Sequence, residues 1–288
     1  MLFNKPMNKF NNKCYICGSS DLSDTGYKLR DSKELKVLKC NNCTLMFLSS
    51  FDHIDESFYD SGKMHGTSFN IDKWLQNCKP DDERRFKFLK KHINGKALLD
   101  FGCGAGGFLN LAKNYADVYG IERQDSLENH FKKNNLKVFK SLNDIDKKFD
   151  IITMFHVLEH LKDPVAALQE LLTYLKDNGE IIIEVPNADD ALLSIYKCSK
   201  FANFTHWRCH LYAFNEKSLK IMLKKAGIKI NYIKPIQRYG LANHLYWLIK
   251  GDKGGHLKWK FFNIFDPIYK TLLKVLRKTD TLIISISK

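Results

Sequence analysis

No stretch of this 288-residue chain approaches the roughly 20 consecutive apolar residues that a membrane-spanning helix needs. Only 6 prolines and 16 glycines occur, which excludes collagen-like and low-complexity chains, and 44% hydrophobic residues exclude extended disorder. The opening segment, MLFNKPMNKFNNK, lacks the apolar centre of a signal peptide, so a cytoplasmic protein is expected. Arginine is scarce as well. Of 46 basic residues only Arg30, Arg84, Arg85, Arg123, Arg208, Arg238 and Arg277 are arginines, so the formal charge of +14 is mostly lysine. Bidentate phosphate and guanine recognition favours arginine, and nucleic acid is therefore the less favoured partner. No glycine-rich loop ends in Gly-Lys-Ser/Thr, which excludes a P-loop. What remains is enough chain for one α/β domain and a small accessory module.

Eight cysteines are present, and four of them are organised. Cys14 and Cys17 (CYIC) and Cys40 and Cys43 (CNNC) form two Cys-x-x-Cys knuckles separated by 22 residues. Two tight turns that converge four thiolates meet the tetrahedral demand of zinc. Gly18 follows the first knuckle, where a turn bends amides toward sulfur. A thioredoxin-type redox pair would need one such motif opening a helix in a βαβ unit, and none does. The expectation is a structural Zn²⁺ that stabilises a small ribbon over residues 1–50, with ELKVLKC entering and TLMFLS leaving the second knuckle as strands.

Residues 51–94 read as a helical linker or lid: a polar stretch dotted with aromatics (FDHIDESFYDSGKMHG), then the helical pattern DDERRFKFLKKHI with Phe86, Leu89 and Ile93 on one face. From residue 95 onward apolar strands alternate with amphipathic helices: KALLDFGC, GFLNLAKNYA, VYGIER, SLENHFKKNN, KVFKS, FDIITMF, PVAALQELLTYLKDNG, EIIIEVPN, FNEKSLKIMLKKAG, IKINYIKPI and TLIISISK. Such alternation predicts an α/β fold, a mostly parallel sheet with helices on both faces.

The densest chemical signal is LLDFGCGAGGF, an apolar strand ending in Asp100 that runs into Gly102, Gly104, Gly106 and Gly107 before a helix. The glycines permit a tight turn and close approach to a ligand. Glu122 ends the next strand, where a carboxylate can hold both hydroxyls of a ribose. A dinucleotide site would want G-x-G-x-x-G and no acid facing the pyrophosphate; Asp100 suits a cationic cofactor instead. These residues, with FDIITMFHVLEHLKDP, LLTYLKDNGEIIIEVPN and HLYAFNEKSLKIMLKKAGI, resemble the class I S-adenosylmethionine-dependent methyltransferases over roughly residues 80–235. The likeness is greatest to small-molecule enzymes of quinone and of sugar or surface-polysaccharide biosynthesis, and some sugar C-methyltransferases also carry an N-terminal zinc module.

The resemblance implies a Rossmann-like, doubly wound, seven-stranded sheet with S-adenosylmethionine as cofactor. It places Asp100, Gly102 and Gly104 at the methionine end, Glu122 on the ribose and Arg123 beside the adenine, with Ser141, Leu142 and the later Asp144 near the adenine turn. Met154, Phe155 and His156 end the fourth strand and should face cofactor and substrate. Cys103, inside the turn, is a small tolerated residue and not a nucleophile. Methyl transfer is an in-line displacement, so the protein aligns the acceptor and removes its proton. His156 is the leading base. Related quinone enzymes hold a divalent metal on E-x-x-E-H; this chain has His156 in place of the first acid, leaving Glu159 and His160 either as ligands or as groups that orient the loop. The string HVLEH also spells a zinc-peptidase motif, but a strand end after a nucleotide turn is the wrong context. THWRCHLYAF supplies a second cluster: His206 or His210 could share the base role, and Arg208 and Tyr212 fit a substrate lid.

The segment 241–278 combines aromatic residues with eight Lys or Arg against two Asp. It fits an insertion covering the active site, a dimer contact, or a peripheral contact with an anionic membrane at the inner face. The expected activity is methylation of a hydroxyl on a small, sugar-linked acceptor of surface-polysaccharide biosynthesis. Its alternatives are a sugar C-methyltransferase, an RNA methyltransferase using the ribbon and basic surface, and a non-catalytic zinc-ribbon adaptor. Oligomeric state is not legible.

Overall fold

The computed structural model describes residues 13–55, 57–60 and 70–288. The N-terminal segment read for a targeting signal and the middle of the expected lid (residues 61–69) lie outside the described residues.

Two sheets organise the chain. Strands β1 (Leu22–Asp24), β2 (Val37–Cys40) and β3 (Met46–Leu48) form an antiparallel meander around the cysteine knuckles. After the short α1 (Ser57–Asp60), α2 runs over Ile71–Ile93, with Asn70 accepting the Lys73 N–H at its start. It begins ten residues before the expected DDERRF segment and carries Pro80 internally. The large sheet follows: β4 (Ala97–Phe101), α3 (Gly107–Ala112), β5 (Asp117–Ile121), α4 (Glu128–Lys133), β6 (Lys137–Phe139), β7 (Phe149–Phe155), α5 (Pro164–Thr173) and β8 (Leu175–Pro186). Then come α6 (Ala191–Ser194), α7 (Ser199–Thr205), β9 (Tyr212–Ala213), α8 (Glu216–Lys225), β10 (Lys229–Ile236), α9 (Leu241–Lys250), α10 (Gly255–Lys258), α11 (Asp266–Val275) and β11 (Thr281–Ser287).

The seven strands lie in the order β10-β11-β8-β7-β4-β5-β6, with β11 alone antiparallel to its neighbours. Period-2 alternation decides which face each side chain covers. Leu98, Ile151, Ile182 and Ile283 pack with Leu89 and Ile93 of α2 and Phe108 of α3. Their neighbours Leu99, Ile152, Ile181 and Ile284 face the opposite cluster, with Leu168 and Leu171 of α5 and Leu219 of α8. Both faces are apolar, as a parallel sheet covered by helices requires.

A second helix boundary differs from expectation. PVAALQELLTYLKDNG does not stay helical to its glycine: α5 stops at Thr173, and Leu175 pairs with Phe149 at the start of β8. Strand pairing offers Leu175 a fully buried place, which outweighs the helix propensity of the last turn.

The cysteine meander is stitched onto the large domain. Phe47 pairs with Tyr212 and Met46 with Ala213, so β9 completes the small sheet as its fourth strand. Tyr15 donates to Asp163 at 2.5 Å and accepts from the Val165 N–H at the start of α5. Leu45, Phe47 and Phe51 belong to the same apolar cluster as the sheet.

Candidate functional site

A cleft of about 870 Å³ opens at the C-terminal ends of β4, β5 and β7, between the sheet and α2. That position is the one open α/β sheets use for ligands. Asp100 and Gly102 sit at the end of β4, Glu122 and Arg123 at the end of β5, and Phe155 and His156 at the end of β7.

The turn Gly102–Gly107 is as tight as its glycines allow. Gly102 and Gly104 have φ of +75° and +54°, and a Cβ at Gly104 would stand 2.9 Å from the Trp74 ring. Glu122 faces this turn: its carboxylate accepts the N–H groups of Gly104 (3.0 Å), Arg123 (2.8 Å) and Gln124 (3.0 Å). Burial nonetheless leaves its pKa raised. Asp100 is buried and accepts from Thr153 at 2.7 Å; burial pushes its pKa up to about 7. Two acids lining one cleft, with burial opposing the charge of each, mark a place that a cation would complete. Cys103 lines the cleft, but burial pushes its thiol well above the ordinary range, so it is no thiolate nucleophile.

Arg123 lines the cleft with its guanidinium engaged by Asp60 through Nε and Nη2 at 2.6 and 2.8 Å, which fixes α1 over the opening. Ser141 and Leu142 line the far end. Asp144 does not; it accepts the Ser141 N–H and caps a turn.

Beneath His156 lies a charged cluster. Glu184, fully buried in β8, accepts from Arg84 Nη2 at 2.8 and 2.9 Å and from Arg85 Nη2 at 2.8 Å. Burial alone would raise its pKa, but His156, Arg85 and Arg84 together hold it well below the carboxylate range. His156 has a left-handed φ of +56°, a strained backbone for a non-glycine residue. Its Nδ1 is 3.2 Å from Glu159 Oε1, and its Nε2 is 3.2 Å from Glu184 Oε1 without hydrogen-bond geometry. Burial opposes its charge, yet the two carboxylates win and its pKa is raised. His156 is therefore held toward the imidazolium form, a poor resting state for a base.

His160 and His210 differ. Both line the cleft with rings 4.9 Å apart, and burial lowers both pKa values, His210 well below the usual range. His160 Nδ1 lies 2.7 Å from the Cys209 carbonyl, which can only accept; the proton sits on Nδ1, and among the described residues no hydrogen bond engages the Nε2 lone pair. Glu159 is buried behind them, and its Oε2 has no hydrogen-bond partner among the described residues. Ligand atoms of Glu159, His160 and His210 lie within 4.8 Å of one another.

Four sequence-based placements are corrected. Met154 points away from the cleft into the core, because residues alternate across β7 and Phe155 takes the ligand side. His206 is buried, bonded to the Ala202 carbonyl at 2.7 Å and stacked on Tyr27. Arg208 lies outside the cleft, over the Phe58 ring and facing Asp31. Tyr212 is a core residue of β9 whose hydroxyl donates to the Lys162 carbonyl at 3.0 Å. Of that segment, His210 reaches the cleft, together with Trp207. Trp74, Asp82 and Arg85 of α2 also line it and escaped sequence reasoning. The one signal was Glu184 inside IIIEVP: a charge in an apolar strand needs a buried partner.

The metal-ligand expectation for Cys14, Cys17, Cys40 and Cys43 meets a fitting geometry. The four thiols are free of disulfides, three are buried, and the sulfurs cluster within 4.8 Å, with Cys14–Cys43 and Cys17–Cys40 at 3.4 Å. Gly18, at φ +75°, donates its N–H to the Cys14 carbonyl, closing the first knuckle. Four sulfur donors without an open position are the donor set of structural zinc.

Comparison with known proteins agrees with this architecture. A family described as a methyltransferase domain matches residues 74–232. The ubiquinone biosynthesis O-methyltransferase of Coxiella burnetii is 33% identical over 117 residues, covering 36% of this chain and 50% of that protein. Its namesake in Hydrogenovibrio crunogenus is 24% identical over 223 residues, covering 69% and 88%. The chain thus spans about half the length of the first of these relatives. A Thermotoga maritima structure described as an S-adenosylmethionine-dependent methyltransferase, possible histamine N-methyltransferase, shares the fold: TM-score 0.50, 18% identity, 83% of this chain and 100% of that one. With the domain matched across more than half of the sequence and the seven-stranded order in place, this chain belongs to the methyltransferase-domain family.

Proposed function

We propose that the protein transfers a methyl group from S-adenosylmethionine to a hydroxyl of a small molecule. The observation that carries this reading is the pair of acids, Asp100 buried and Glu122 half-buried, flanking one glycine turn at adjoining strand ends. S-adenosylmethionine supplies an electrophilic methyl group on a positively charged sulfur. Asp100 faces the cationic methionine end, Glu122 takes the ribose hydroxyls with the lone pairs its three N–H bonds leave free, and Ser141 and Leu142 border the adenine. His210, uncharged and on the cleft wall, is the base we assign to the acceptor proton, with His160 beside it. His156 and Glu159 position this wall and complete its charge.

For the acceptor, the aromatic walls Trp74, Phe155 and Trp207 and the names of the ubiquinone-biosynthesis relatives favour an aromatic ring over the sugar expected from sequence. A second reading has a specific observation behind it: the unpartnered Oε2 of Glu159, with His160 and His210, fits a divalent metal that would orient and acidify the acceptor hydroxyl. We further propose that the four cysteines hold a structural Zn²⁺ and that residues 1–50, 51–94 and 95–288 act as ribbon, lid and transferase domain.

Calorimetric titration with S-adenosylmethionine and S-adenosylhomocysteine tests the first step. Micromolar binding sustains the reading, and its absence in folded, zinc-loaded protein favours the adaptor alternative. Methyl transfer to aromatic and sugar acceptors, with and without chelator and added Mg²⁺, then separates acceptors and the base from the metal reading.

A further inference from the structure

The helix that precedes β11 carries its apolar face outward. The segment Lys260–Phe265 is a 3-10 helix, in which residues three apart eclipse, and it leads directly into α11. Phe261 and Ile264 follow the first period, and Ile268, Leu272 and Val275 the second, so that all five fall on one stripe. That stripe faces solvent: Phe261 is 79% exposed, Ile264 73%, Ile268 77%, Leu272 51% and Val275 74%. The opposite side of α11 is the one that packs. Asp266 accepts the Leu241 N–H, the Tyr269 hydroxyl lies 2.7 Å from His244 Nδ1, and Leu273 is buried. A helix of a water-soluble domain ordinarily turns its apolar face to the core. Here, among the described residues, nothing covers it.

Cations border the stripe. Segment 241–278 holds eight Lys or Arg and two Asp, a net charge of +6 by subtraction. Among the described residues no carboxylate pairs with Lys260 or Lys274, which are both exposed. Two copies meeting through this face would oppose these charges, so a second copy is electrostatically disfavoured. The stripe runs along one helical face with five side chains each more than half exposed, the arrangement of a helix lying in an interface plane. We propose that the 261–275 stripe docks the protein on an anionic lipid surface, apolar side chains entering the acyl boundary and lysines meeting headgroup phosphates. The topology gives this docking a consequence. Ile236 pairs with Thr281, and Thr281 with Pro186 at the end of β8, so the insertion emerges at the same end of the sheet as the cleft. Arg238 at its root reaches Asp81 of the cleft wall at 3.0 Å. Docking by this stripe brings the cleft end of the sheet toward the bilayer, where an amphiphilic acceptor resides.

The proposal goes beyond the methyl-transfer reading, and its test needs no cofactor. The 288-residue, zinc-loaded protein is floated with vesicles of phosphatidylcholine alone or with about 30% phosphatidylglycerol, a fraction that gives the surface its negative potential. The expected result is flotation with the anionic vesicles only, weakened by salt. Ile268→Asp, and separately Lys260→Glu with Lys274→Glu, should each lower partitioning about tenfold or more, with unchanged thermal melting because the altered side chains are exposed. Equal partitioning to both vesicle types, or no partitioning, overturns the proposal. So does unchanged partitioning of both folded variants, or a dimer in size-exclusion chromatography that Ile268→Asp dissociates, which would assign the face to a second copy.

Discussion

The two ends of the cleft are built differently. At the Asp100–Glu122 end, the groups come from adjacent strands within 23 residues, and much of the contact is backbone: glycine turns and N–H groups aimed at one carboxylate. At the histidine end, Arg85, His156, Glu159, Glu184 and His210 arrive from segments up to 125 residues apart and are ordered by buried charge. The first end is a local device that any sequence with its turn can build. The second exists only once α2, β7, β8 and the segment after α7 have packed. A change of chemistry is most easily made at such a composite end, because one substitution there alters a titratable group without disturbing the glycine turn.

That contrast can be broken in order of expected effect. Glu184→Leu leaves Arg84, Arg85 and His156 without their shared carboxylate in a buried site, and thermal or urea unfolding should show a loss of about 3–5 kcal/mol. A loss under about 1 kcal/mol would mean the cluster is not a structural unit. Next, His210→Asn should lower kcat about 100-fold while calorimetric cofactor affinity stays within about twofold. A large loss of affinity instead would erase the division between the two ends. Glu122→Ala is the converse: affinity for S-adenosylhomocysteine should fall about 30-fold through loss of charge-assisted bonds. Retained affinity would move the ribose elsewhere.

The smallest effect is a pH dependence. Asp100 titrates near 7 in the folded, ligand-free protein, and a cationic ligand favours its carboxylate. Cofactor affinity should therefore rise by up to about tenfold from pH 6 to pH 8 with proton release, and Asp100→Asn should flatten the profile. The sign for stability is opposite: the folded state keeps a proton that the unfolded chain releases near 3.8, so the contribution of Asp100 to stability falls as pH rises from about 4 to 7. In the accessory module, Cys40→Ser should release zinc by metal analysis and lower the melting temperature; unchanged metal content would refute the four-cysteine site.

Legibility followed the same division. The glycine turn, both acids, the cysteine knuckles and nearly every strand could be read, because each depends on spacing within some two dozen residues of chain. Phe155 against Met154 could not be decided in advance, since a continuous apolar strand gives no sign of which parity faces the ligand. His206, Arg208 and Tyr212 were polar residues near the right place, yet the pairing of β9 with β3 turned Tyr212 inward and left His210 and Trp207 on the cleft. Nothing local in DDERR marks Arg84 and Arg85 as partners of Glu184, which lies about a hundred residues away in the chain.

The sequence by itself determined the alternating sheet, the glycine turn and the converging cysteines, because hydrophobic period, glycine φ and ligand spacing are local constraints. Tertiary structure decided the rest. It joined the cysteine meander to the large domain through β9, it set His156 between two carboxylates so that its charge is favoured, and it left His210 neutral in the same cluster. The physical reason is that a side chain's burial and its charged neighbours come from residues far apart in the chain, and these fix its protonation state as much as its own identity does.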